Sequence, residues 1–177
     1  MQRAAHISLE RVIDHLVLLH PGFAAERLRH DGRRIMIAVA GQVLDADLGV
    51  GKTLLYCLEQ THRDTPLKYA VVGLGSGALA AYARPAVGNR AADECVMYEI
   101  NPLVEQIARE HFWYLPNYEK RLGKPIEVRL GDARLTMERE AEQEYDVIVL
   151  DAFSGDSVPA HLLTREAFEI YRKHLKK

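Results

Sequence analysis

Cysteine is nearly absent from this chain: Cys57 and Cys95 are the only two in 177 residues. Two thiols cannot build a disulfide framework. Cys95 lies within an apolar, strand-like run, where a buried thiol is the ordinary outcome. A reducing compartment fits, and a cytoplasmic protein is expected. Metal-ligand spacing is also missing, because the eight histidines are scattered, so no metal is expected. No apolar run approaches the ~18–20 residues of a membrane span, and no membrane contact from this chain is expected. The first apolar stretch, residues 7–19, carries Glu10, Arg11, Asp14 and His15, which argues against a signal-peptide core. There is no excess of basic charge: 23 Lys and Arg stand against 25 Asp and Glu, a formal net charge of -2. A polyanionic partner such as nucleic acid is therefore disfavoured, and a small-molecule ligand is expected. Internal repeats and low-complexity segments are absent too. What is present is 48% hydrophobic residues, enough for a domain with a substantial core.

Along the chain, Ser8 can cap a helix over residues 9–19, where Leu9, Val12, Ile13, Leu16, Val17 and Leu19 form a helical stripe stopped by His20-Pro21-Gly22. Residues 33–39 read as a short strand. The stretch 53–60 fits helix or strand equally. From residue 66 strands alternate with helices: strand at 68–74, short helix at 78–83, strand at 94–99, helix after the cap Asn101 with Pro102 at its first position, strand at 126–130, helix at 134–143, strand at 145–150, and a last helix from Thr164 to residue 173. In the helix after Asn101, Glu105 can pair with Arg109. This order predicts an α/β fold, a doubly wound, Rossmann-like parallel sheet. Residues 1–65 are expected to form an N-terminal helix and short β segment, and residues 66–177 the nucleoside-binding domain. The sheet is expected to be truncated after its fourth strand and helix. That strand would lie near an open apolar edge, which a partner, a second copy of the chain among the candidates, could complete.

The chemistry-bearing residues gather at strand ends. Gly73-x-Gly75-x-Gly77 follows the first strand of the regular region; these glycines suit a tight turn and close backbone approach to a ligand, with Ser76 inside the loop. Glu99 ends the next strand, where a carboxylate can accept from both ribose hydroxyls. Asp132, in Gly131-Asp132-Ala133, follows the third; it can hold an adenine amino group, cap the following helix, or do both. Asp151 ends the fourth, ahead of the small, polar loop 152–160, which is suited to close over a ligand. Four such points at one edge of four consecutive strands describe the ligand crevice of this sheet type.

At these residues the chain resembles the spermidine synthase (aminopropyltransferase) family, which shares the fold of class I S-adenosylmethionine-dependent methyltransferases. The resemblance rests on residues 73–78, Tyr98-Glu99-Ile100-Asn101, residues 112–116, Gly131-Asp132-Ala133 and residues 145–151. The segment that begins Asp151-Ala152-Phe153-Ser154-Gly155-Asp156 is similar to a bacterial spermidine-synthase-like branch. The resemblance spans residues 66–175 and implies that Gly73, Gly75, Ser76, Gly77, Glu99, Asp132, Ala133 and Pro159 bind S-adenosylmethionine or its decarboxylated form. It further implies that Asp151 takes the proton from a small attacking amine and that Asp156 helps hold that amine.

Two positions depart from the family pattern. Ser76 stands where the glycine loop usually carries Asp, and Ser154 where the loop after the fourth strand usually carries a second Asp. A hydroxyl in place of a carboxylate loses a charge-assisted hydrogen bond to an ammonium group. Aminopropyl transfer is the leading expectation. Methyl transfer and a catalytically inactive binding or assembly module stand beside it. A P-loop reading of Gly49-Val50-Gly51-Lys52-Thr53 fails, because Ala46 holds the first glycine position. A nicotinamide dehydrogenase would share the glycine turn and the acid, but leaves Asp132 and the Asp151 loop without a role. The cluster from His111 to Tyr118 reads as packing at a helix end rather than a base-stacking surface.

Overall fold

A computed structural model describes residues 16–18, 23–30, 33–40, 65–153 and 158–176. Among these residues one sheet is formed by β1 (Leu16–Leu18), β2 (Phe23–His30), β3 (Arg33–Ala40), β4 (Lys68–Val72), β5 (Glu94–Glu99), β6 (Glu127–Leu130) and β7 (Val147–Leu150). Their order is β1-β2-β3-β7-β4-β5-β6. Strands β7, β4, β5 and β6 run parallel, while β1, β2 and β3 form an antiparallel meander whose last strand joins β7 in parallel. The helices are α1 (Pro102–His111), α2 (Tyr114–Leu122), α3 (Ala133–Arg139) and α4 (Arg165–His174), with 3₁₀ turns at Ala78–Tyr82 and Ala160–Leu162.

The interiors of β4, β5 and β7 are apolar because both sheet faces are covered. Side chains alternate between faces, so Tyr69, Val71, Met97, Val147 and Val149 pack with Ala80, Ala108, Leu115 and Tyr118 on one side. Ala70, Val72, Tyr98, Ile148 and Leu150 pack with Met137, Leu162, Ala167, Ile170 and Tyr171 on the other. This is the doubly wound, Rossmann-like α/β sheet that the strand–helix alternation predicts. The chain builds β4, β5 and β6 outward in one direction, then returns to lay β7 on the opposite side of β4. The strand order thus reverses between β4 and β7, and a crevice opens there at the carboxyl ends.

Local chemistry explains most boundaries. Asn101 caps α1 by accepting the Leu103 N–H at 3.0 Å, and Pro102 occupies the position that needs no donor. Thr164 caps α4 through the Ala167 N–H at 3.2 Å. Glu105 and Arg109 pair at 2.9 Å, as their spacing predicts. Within α1 the core takes Ala108 and Val104, whereas Leu103 and Ile107 are exposed. Cys95 is buried and its thiol is pushed up to about 12 by that burial, so it is chemically inert.

The structure departs from the sequence reading in several places. Leu16–Leu18, inside the expected helix 9–19, is strand β1. A run of three apolar residues serves either periodicity, and antiparallel pairing with Ala24–Glu26 decides it. The rest of that expected helix lies outside the described residues, as do stretch 53–60 and the P-loop-like segment 49–53. The β7 edge is covered rather than open, since β3 of the same chain pairs along it from Met36↔Val147 to Val39↔Leu150. Strand β2 and helix α2 were not anticipated. The helical turn after the glycine loop is 3₁₀, and the helix expected at 134–143 ends at Arg139.

At the amino edge, Asp93 is fully buried and ties the crossover together. Its carboxylate accepts the Leu67 N–H at 2.7 Å, the Arg84 N–H at 2.8 Å, the Arg84 guanidinium at 2.8 Å and Arg90 at 3.2 Å. Asp93→Ala is expected to lower stability by about 3–5 kcal/mol, the scale for breaking a buried ion pair, as measured by urea unfolding. A loss below about 1 kcal/mol would mean that the cluster behaves as a solvated surface group.

Candidate active site at the carboxyl edge

Past the end of each central strand, one backbone hydrogen bond continues the ladder and sets the next residue at a common level. Gly73 N–H donates to Tyr98 O, Gly131 N–H to Glu99 O and Asp151 N–H to Val72 O, each at 2.8 Å. Gly73, Glu99, Gly131-Asp132 and Asp151 therefore occupy one rim, on adjacent strands about 4.8 Å apart. The structure brings three of the sequence-predicted acids, Glu99, Asp132 and Asp151, to this rim.

Gly73 has φ +98°, and a Cβ there would meet the Asp151 carbonyl oxygen at 2.6 Å. No side chain fits where β4 exits against the β7 terminus, so glycine is required for close approach as well as for backbone conformation. Gly75, at φ +52°, has nothing within 4 Å of a Cβ position and leaves bare main chain. Gly77 lets the 3₁₀ turn seat against Leu115. Ser76 is half-buried within the loop.

Glu99 is buried, and both its oxygens are held by main chain. Oε2 accepts the Leu74 N–H at 3.0 Å and Oε1 the Asn101 N–H at 2.9 Å. The carboxylate thus bridges the glycine loop and the start of α1, and each oxygen retains a lone pair for a further donor. Below it, Tyr98 is pinned on the opposite face through Tyr145 and Glu140, both at 2.9 Å. Asp132 caps α3 by accepting the Leu135 N–H at 2.9 Å, and its other oxygen lies 2.9 Å from His161 Nε2. Ala133 is packed in the core, and Pro159 leads the 3₁₀ turn that carries His161.

Asp151 is half-buried, and burial pushes its carboxyl up from 3.8 to about 6. Asp156 and Ser154 lie outside the described residues. Among the described residues, no Lys or Arg forms an ion pair with Glu99, Asp132 or Asp151, and no group of three or more His, Cys, Asp or Glu is placed to hold a metal ion. No helix among them is long and apolar enough to cross a membrane. A cavity of about 230 Å³ beside Cys95, Lys124 and Ile126 lies at the amino ends of β5 and β6, away from this rim.

Sequence reasoning missed His161, which lies far from Asp132 along the chain. It also missed the apolar side chains at the rim, Ile100 at 67% exposure beside Glu99 and Leu135 at 44% in the first turn of α3. The signal for Ile100 was available, since a strand-end isoleucine directly after the acid has no core neighbour to cover it.

No family model matches the chain. A polyamine aminopropyltransferase from Vibrio vulnificus is 36% identical over 103 residues, covering 57% of this chain and 31% of the relative. The chain thus spans about a third of that relative's length. A probable spermidine synthase from Corynebacterium glutamicum superposes with a TM-score of 0.50 at 16% identity, covering 88% of this chain and 59% of that one. Spermidine synthase from Thermotoga maritima gives a TM-score of 0.44 at 16% identity, over 93% of this chain and 55% of the other. Over those 103 residues the chain is similar to an aminopropyltransferase, and its doubly wound α/β sheet is the fold of the probable spermidine synthase.

Proposed function

We propose that residues 66–177 form the nucleoside-binding unit of an aminopropyl-transferring enzyme of the cytoplasm, with Asp151 as its base. The observation that carries this reading is the state of Asp151. It sits where the strand order reverses, half-buried, with a carboxyl pushed up to about 6. Such a group is ionised at neutral pH yet poised to accept a proton, as a general base should be.

The surrounding residues fit an adenosine-bearing sulfonium. Glu99 keeps a lone pair on each oxygen for the two ribose hydroxyls, and Asp132 can accept from the adenine amino group. Ile100 and Leu135 offer apolar surface for the base, with Pro159 at the same side. Gly73, Gly75, Ser76 and Gly77 leave main chain open to the tail. A rim of acids without Lys or Arg partners among the described residues favours a cationic guest. Decarboxylated S-adenosylmethionine would supply the aminopropyl group, its sulfur leaving as a neutral thioether with the C–S electron pair. Asp151 then takes the proton released by the attacking amine as the new C–N bond forms. Asp156 is proposed on sequence grounds to attract the amine's second ammonium.

A second reading, methyl transfer from S-adenosylmethionine, is favoured by Ser76, which removes a carboxylate from the loop that would face the cofactor tail. Calorimetry with S-adenosylmethionine, its decarboxylated form and methylthioadenosine separates the readings. Preference for the decarboxylated compound supports aminopropyl transfer, preference for the carboxylated one supports methyl transfer, and no heat with any of the three supports an inactive module.

Asp151→Asn is expected to lower kcat by about 10²–10⁴-fold, the usual weight of a general base, while nucleoside affinity is retained. In the native protein kcat/KM should rise with pH through about 6 and then level off. Full activity in Asp151→Asn would remove Asp151 from this role. The same shift predicts a stability effect. The folded carboxyl holds its proton more tightly than the unfolded one, so stability is fully present below about 4 and lost as pH rises through about 6. Asp151→Asn should therefore be more stable than the native protein at pH 8 by about 1–3 kcal/mol, with the gain vanishing near pH 3, as read by urea unfolding at both pH values.

Glu99→Gln tests the ribose clamp. An amide can accept at one end only, so one of the Leu74 and Asn101 N–H groups must face an NH₂ group. The expected result is a loss of about 1–3 kcal/mol in stability without ligand and weaker methylthioadenosine binding. Unchanged binding would place the ribose elsewhere.

A further inference from the structure

The Asp132 carboxylate is held from two separate elements. Oδ1 caps α3, and Oδ2 lies 2.9 Å from His161 Nε2. An ionised carboxylate only accepts, so this contact fixes the imidazole as an Nε2–H donor. His161 stands in the turn Ala160–Leu162, and that turn is anchored from below. Leu162 is buried in the core, and Tyr171 Oη donates to its carbonyl at 3.1 Å. The ring itself remains 49% exposed at the rim. It is neither a core residue nor a free surface group. It is a donor held by an anchored turn against the acid that faces the base.

We infer that His161 sets nucleobase specificity by holding Asp132 as an oriented anion, so that the crevice accepts an exocyclic amine and rejects an exocyclic carbonyl. The inference rests on the nucleoside reading above and names the ligand class further, as 6-aminopurine over 6-oxopurine nucleosides. The physical reason is a mismatch of lone pairs. With Oδ2 already receiving the His161 proton, its remaining lone pair can take an amino N–H. A carbonyl brought to the same place sets acceptor against acceptor, and the site has no proton to put between them. Without His161, Oδ2 loses its fixed partner. The carboxylate can then turn about its terminal torsion away from the base, which removes both the acceptor that takes the amino N–H and the one that repels a carbonyl.

Calorimetric titration of the 177-residue chain with 5′-methylthioadenosine and 5′-methylthioinosine tests this. The native protein should prefer the adenosine compound by about tenfold or more, the scale of one bidentate-quality discrimination. In His161→Leu, affinity for the adenosine compound should fall by about five- to tenfold while the inosine compound holds or improves, so that the preference collapses. His161→Gln, whose side-chain amide can donate near the Nε2 position, should keep most of the preference. Thermal midpoints should differ by no more than a few degrees, the scale of losing one helix cap. An unchanged preference in His161→Leu overturns the proposal. So does an equal loss for both compounds, which would mark His161 as merely structural. Native protein that binds neither compound overturns the nucleoside reading itself, a result separable from the other two.

Discussion

The contact on which the rest of the rim depends is the approach of Gly73 to the main chain of Asp151. Two parallel strands end side by side there, and the chain leaves them in different directions. A Cβ at Gly73 would lie 2.6 Å from the Asp151 carbonyl oxygen, so only glycine fits there. With β4 and β7 seated this closely, the glycine loop and the Asp151 carboxyl share one crevice. The flanking acids take their level from the same ladder.

Buried acids in this protein fall into two groups, and their partners distinguish them. Asp93 and Asp146 precede β5 and β7 at the amino edge, and both are met by backbone N–H groups and by cations: Arg84 and Arg90 for Asp93, Lys176 at 2.6 Å for Asp146. These acids are neutralised and structural. At the carboxyl edge, among the described residues, Glu99 receives two N–H groups and forms no ion pair with Lys or Arg, and neither does Asp151. Charge left uncompensated in a partly dry site is expensive unless a ligand meets it. The asymmetry between the two edges, rather than any single residue, is the electrostatic basis for proposing a positively charged guest.

Preorganisation follows from the same arrangement. Glu99 and Asp132 are each held through main-chain N–H groups before any ligand arrives, so little side-chain freedom remains to be lost on binding.

The parallel strands β4, β5 and β7 were legible from residues alone, because a strand buried on both faces reads as an apolar run and its end is marked by Gly or an acid; β6, at the edge, was legible from its place in the strand–helix alternation. The glycine loop, Glu99, Asp132 and Asp151 were legible for the same reason: strand order plus chemistry at strand ends fixes a rim. Helix α2 was not, since Tyr114-Leu115-Pro116 suggests a break until the burial of Leu115 and Tyr118 makes the helix worthwhile. Strand β1 was misread because three apolar residues satisfy helix and strand periodicity alike, and pairing with β2 is a long-range choice. The cover that β3 provides for β7, the hold of His161 on Asp132 and the burial that raises the Asp151 carboxyl are likewise invisible in the sequence. Each depends on which distant segments meet. The sequence by itself determined the strand ends and the functional groups they carry, because those are local properties of residue type and spacing. The tertiary structure decided how those groups are paired and how dry they are, because hydrogen-bond partners and desolvation exist only once the chain has closed around them.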